Sequence, residues 1–183
     1  MKAKTKLDLF LGPDLRCCLT WGDTMDGMTK PCIGHTHLKV ADLERAIAFW
    51  RDVIGMDLTA RYGEQAAFLS WGGYHHHIGL NTWHSEGGTP PAKHHTGLFH
   101  VALLYPTREA LVVAAKRAAD AGVDIYGHAD HGVSVALYFD DPDGNGIEIY
   151  WDKPRSEWPL QDDGSVKMVN DRFELGPFLA EAT

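Results

Sequence analysis

One order of elements, read twice along the chain, constrains what it can fold into more than any other feature. From Ile33, the run Gly34-His35-Thr36-His37-Leu38-Lys39-Val40 alternates like a strand. Asp42 then opens a helical pattern with the apolar stripe Leu43, Ala46, Ile47, Trp50, Val53 and Ile54, closed by Gly55. Strand patterns follow at 57–62, 66–71 and 74–81, with Gly72-Gly73 turning between the last two. After a loop rich in Gly, Pro and Thr (86–96), the order recurs. A strand spans 98–105, Thr107 caps a helix striped by Leu111, Ala114 and Ala118 that ends at Gly122, and strands follow at 123–126, 133–140 and 147–151. Pro142-Asp143-Gly144-Asn145-Gly146 joins the last two tightly.

Two βαβββ modules, 31–85 and 97–152, therefore form one domain over 31–152. The expected class is α+β, an open mixed-sheet cup. Residues 1–30 and 153–183 lack periodicity and are expected to pack on the core or on a neighbouring subunit. The formal charge is −8 and basic runs are absent, which excludes nucleic acid as a natural partner. The apolar stretches are too short to span a membrane, and Asp8, Gly12 and Pro13 interrupt any signal-like start, so a cytoplasmic location is expected. Cys17, Cys18 and Cys32 read as reduced thiols.

Eleven histidines direct attention to metal chemistry. His35, His37 and Lys39 share one face of the first strand, and His100 stands on the face of Leu98, Ala102 and Leu104. Glu148 lies in the apolar run 147–151; both it and His100 read as facing inward. An inward carboxylate without a Lys or Arg partner is costly unless it binds a metal. Two imidazoles and one carboxylate suit a non-haem iron(II) with open positions. His35 and His100 occupy equivalent places in the two modules, which unrelated core histidines would not require. His37 stays open as the alternative to His35.

These residues resemble the vicinal oxygen chelate (glyoxalase/bleomycin resistance/dioxygenase) superfamily, and within it the one-domain type I extradiol ring-cleavage dioxygenases. His131, Leu137-Tyr138, Asp141-Pro142, Gly144 and Glu148 match that family's signature; Ala129, two before His131, departs from it. The resemblance implies metal ligands His35, His100 and Glu148, a cup built around Fe(II) (Mn(II) fits the same ligands), and catalytic His77, His131 and Tyr138. His76 is the second candidate for the place of His77, since strand parity does not choose within Tyr74-His75-His76-His77. The implied reaction inserts both atoms of O2 into a catechol-type ring beside the diol, giving a 2-hydroxymuconic semialdehyde-type product, in a homo-oligomer. Another metal-dependent member of the superfamily, of glyoxalase or thiol-transferase type, is the alternative, and a binding module without metal a further one. Trp71, Trp83 and Phe99 are candidate pocket walls, and His84, His94, His95 and His128 belong to loop-like surroundings.

Overall fold

A computed structural model of the chain describes residues 33–182. The readings made for Cys17, Cys18, Cys32 and the N-terminal extension lie outside the described residues. Both modules are present as expected. In the first, β1 (Thr36–Lys39) is followed by α1 (Leu43–Ala48), β2 (Asp57–Tyr62), β3 (Ala66–Ser70) and β4 (Ile78–Asn81). In the second, β5 (Val101–Leu104) is followed by α2 (Arg108–Asp120), β6 (Gly127–Asp130), β7 (Ser134–Asp140) and β8 (Gly146–Asp152). The sheets have the same plan, β1-β4-β3-β2 and β5-β8-β7-β6, with β1 parallel to β4, β5 parallel to β8, and the other pairs antiparallel.

The predicted caps are in place. Asp42 accepts from Arg45 N–H at 3.0 Å and Thr107 from Ala110 N–H at 3.1 Å, each satisfying an amide the first helical turn leaves unpaired. The first helix is not α-helical throughout. It widens into a π-helical turn over Phe49–Val53, which places Phe49 and Trp50 in the core. Arg117 of α2 donates to the Val53 and Ile54 carbonyls at 2.6 Å each, tying the modules together at that turn. Gly55, at φ +86°, admits it: an added Cβ would meet the Arg117 guanidinium at 2.8 Å.

One apolar cluster runs through both modules, with Leu38, Leu69 and Leu80 of the first sheet and Leu137, Ile147 and Ile149 of the second turned toward the helices. A second join crosses it. Asp143 Oδ1, in the β7–β8 turn, accepts from Ala41 N–H at 2.8 Å and from Arg45 at 2.7 Å.

Several expected boundaries shift. β4 begins at Ile78, so His75, His76 and His77 lie in a bend where strand parity does not apply. β6 is 127–130 instead of 123–126, which puts His128 in a strand and not in loop-like surroundings. The C-terminal extension is docked: Leu160 bridges Val166, Asp130 bridges Asp171, and α3 (Leu175–Leu179) buries Phe178. No helix among the described residues is long and apolar enough to cross a membrane.

Candidate active site

Each sheet has one face on the shared core and one turned away from it, and the candidate residues stand on the second. Glu148 was expected to point inward, but its neighbours Ile147 and Ile149 take the core face. It sits in a cross-strand row with Ala102, Tyr138 and Gly127. His100 precedes β5 by one residue as His35 precedes β1, so the expected equivalence of the two histidines holds, and Ala102 and Leu98 on the His100 face are exposed.

The second module brings four of the expected residues together. His100 Nε2 lies 2.9 Å from Glu148 Oε2. The Tyr138 hydroxyl donates to Glu148 Oε1 at 2.8 Å and lies 2.8 Å from His131 Nε2. Burial first, and then the Glu148 carboxylate, hold the Tyr138 proton well above the ordinary tyrosine range. Burial and Glu148 likewise raise Asp152. Two glycines make the arrangement fit, and sequence reasoning did not single out either. An added Cβ at Gly146 would stand 2.1 Å from the Phe99 carbonyl oxygen, and one at Gly127 would stand 3.1 Å from the Tyr138 ring. Gly146 was read only as the end of the 142–146 turn and Gly127 fell just past the expected strand 123–126, so neither interrupted a strand pattern.

The first module holds the other imidazoles. His37 packs over Gly79, with its ring centroid 5.6 Å from Trp83 and 6.0 Å from Phe68. His76 faces His35, with ring centroids 4.4 Å apart. His77 turns elsewhere: its Nδ1 is 2.8 Å from the Ser70 hydroxyl, and its ring is 6.1 Å from that of Trp71. Burial leads in lowering the pKa of His37, His76 and His77, and neighbouring imidazoles add to it, so these rings favour the neutral form a metal ligand requires.

His100 and Glu148 suit a divalent cation. Two ligands about 2.1 Å from an ion at right angles are about 3 Å apart, and His100 Nε2 and Glu148 Oε2 are 2.9 Å apart. The expected third ligand is not with them. Among the described residues of one chain, no three His, Cys, Asp or Glu side chains are close enough to share an ion, so His35 stands apart on the other sheet.

Residues 32–149 match the glyoxalase/bleomycin resistance protein/dioxygenase superfamily. The chain belongs to this superfamily. It is 37% identical over 150 residues to a catechol-2,3-dioxygenase of Bacillus subtilis (strain 168), a match covering 82% of the chain but only 52% of that protein, so the chain spans about half the length of this relative. It is 31% identical to a lactoylglutathione lyase of Haemophilus influenzae, over 65% of the chain and 91% of that enzyme. The fold is that of a glyoxylase/bleomycin resistance protein/dioxygenase domain from Frankia sp. EAN1pec, with a TM-score of 0.57, 20% identity, and coverage of 68% of the chain and all of that domain.

Proposed function

We propose that the chain is an Fe(II)-dependent extradiol dioxygenase, inserting both atoms of O2 into a catechol-type ring beside the diol to give a 2-hydroxymuconic semialdehyde-type product. The observation that carries this reading is the unbroken run His131–Tyr138–Glu148–His100, because a metal site alone needs neither His131 nor Tyr138. In this reading His100 and Glu148 hold the ion, and His35 completes the set from a second copy. Ile33 and Phe99, each 88% exposed beside the starts of β1 and β5, are apolar surface that such a homo-oligomer would cover. The iron, when bound, supplies adjacent open positions for diol and O2 and a path for electrons between them; Mn(II) suits the same ligands.

Tyr138 and His131 would hold the substrate oxygen and move its proton. Tyr138 keeps its own proton for donation, while the two ring nitrogens of His131 allow it to accept one. The catalytic place that the resemblance gives to His77 falls in this reading to His76, the second candidate, which would stand beside O2, since His76 faces His35 and the His77 ring is engaged by Ser70. The setting would be aromatic-compound catabolism in the cytoplasm.

The lactoylglutathione lyase relative supports a second reading, a metal-dependent isomerase or lyase on the same ligands. Loading the protein with Fe(II) without air, then adding catechol and oxygen, separates the two. A yellow ring-opened product is expected; its absence, with turnover of a glutathione hemithioacetal instead, overturns the dioxygenase reading.

A further inference from the structure

Residues 159–171 fold back onto the free edge of β6. Asp130 and Asp171 exchange backbone hydrogen bonds of 2.8 and 2.9 Å, and Val169 N–H donates to the His131 carbonyl at 3.3 Å. Gly132, at φ +80°, makes the approach possible: an added Cβ would stand 2.8 Å from Pro159 Cγ and 3.2 Å from Val169 Cγ2. Beyond the bridge, Phe173 packs between His128 and the buried Phe178. The segment is anchored on both sides of residue 169.

One contact of this segment reaches the site. The Val169 carbonyl oxygen lies 3.1 Å from His131 Nδ1. A carbonyl only accepts, so this is a hydrogen bond only when Nδ1 carries a proton. While the Tyr138 hydroxyl gives its one proton to Glu148 Oε1, its oxygen, 2.8 Å from His131 Nε2, accepts from Nε2–H, so both bonds of the ring form together only with a proton on each nitrogen. A neutral His131 that keeps its single N–H on Nδ1 takes the Tyr138 proton on Nε2 instead. The opposite tautomer would set the Nδ1 lone pair against those of the carbonyl.

We propose that the Val169 backbone carbonyl is a positioning group of the active site. It holds a proton on His131 Nδ1, so that every proton His131 gains or loses passes through Nε2, on the side of Tyr138 and Glu148. The C-terminal segment thereby acts on the chemistry through its backbone, whatever side chains it carries. The catalytic consequence rests on the ring-cleavage reading; the tautomer does not.

The test is nitrogen-15 NMR of histidine-labelled full-length protein, comparing the parent with the double variant Val169→Pro/Asp171→Pro. Proline removes both N–H donors by which the segment grips the β6 edge. Gly132→Ala, which pushes Pro159 and Val169 away with one methyl group, is the second variant should the first fail to fold, and Lys167→Ala is the control. The parent and control are expected to carry the neutral proton on Nδ1, and the variants to shift it to Nε2 while keeping the circular dichroism of the parent. The kcat for catechol should fall tenfold to a hundredfold, the order typical of losing an orienting partner, with KM changed by less than about twofold. A variant that keeps the Nδ1 proton, or a parent that carries it on Nε2, overturns the proposal. If the tautomer shifts but even the parent opens no ring, positioning by Val169 stands and the ring-cleavage reading falls.

Discussion

Tyr138 and Glu148 stand directly opposite each other on β7 and β8, and the Tyr138 hydroxyl donates to Glu148 Oε1 at 2.8 Å. This bond aims one carboxylate oxygen and leaves Oε2 facing His100. Tyr138→Phe keeps the ring and removes the donor. Its rate of ring opening is expected to fall by about tenfold to a hundredfold, with the fold retained. Stopped-flow absorbance of the ring-opened product measures it, and an unchanged rate would remove Tyr138 from the mechanism.

The proposed ligands His35 on one side and His100 with Glu148 on the other belong to different sheets, so complementation between copies is predicted. His35→Ala and His100→Ala proteins should each lose tight iron binding. Unfolded together in equal amounts and refolded, they should regain about a quarter of the parent's complete sites, because random pairing makes half the dimers mixed and each mixed dimer carries one intact set. Metal content per chain and ring-opening rate are both read. No recovery on mixing means that the sites do not cross between copies.

At Gly146 the requirement is steric. The Phe99 carbonyl oxygen would be 2.1 Å from an added Cβ, and His100 Cβ 3.2 Å. Backbone cannot yield there as a flexible side chain would, so Gly146→Ala is expected to displace His100 and to cost on the order of 1–3 kcal/mol, the range of overpacked sites. Urea unfolding gives the stability, and iron titration reports whether His100 still binds.

Alkaline pH should expose a different pair. Tyr126 donates to Asp140 at 3.0 Å, and burial first, then that bond, push its pKa up to about 12. The unfolded value is about 10. The folded state therefore holds this proton more tightly, and the stability gained is complete below about pH 10 and lost as pH rises toward 12. Tyr126 is 54% exposed, so solvent screening keeps the effect below about 1 kcal/mol. Urea midpoints from pH 8 to 12 should fall less steeply for Tyr126→Phe than for the parent.

The parts of this protein legible in its sequence were those that local chemistry dictates. Alternation and helical stripes repeat within a few residues, so the two modules could be read directly, and Asp42 and Thr107 marked helix starts because each side chain caps an amide three residues on. Donor types at His35, His100 and Glu148 raised the expectation of a metal, and the structure brings only His100 and Glu148 of the three together. The face each occupies was not legible. Parity says which residues share a face but not which face meets the core, and the covering helices put Ile147 and Ile149 inside and Glu148 outside.

The sequence by itself determined the repeated βαβββ plan, the caps and the kinds of side chain available for chemistry, because those depend on neighbours in the chain. Only the tertiary structure decided that His100, Glu148, Tyr138 and His131 converge while His35 stands apart, that His76 and not His77 faces His35, and that a carbonyl 38 residues beyond His131 lies against its Nδ1. These are long-range contacts. They follow from how the two sheets and the C-terminal segment pack on one core, and no periodicity along the chain encodes them.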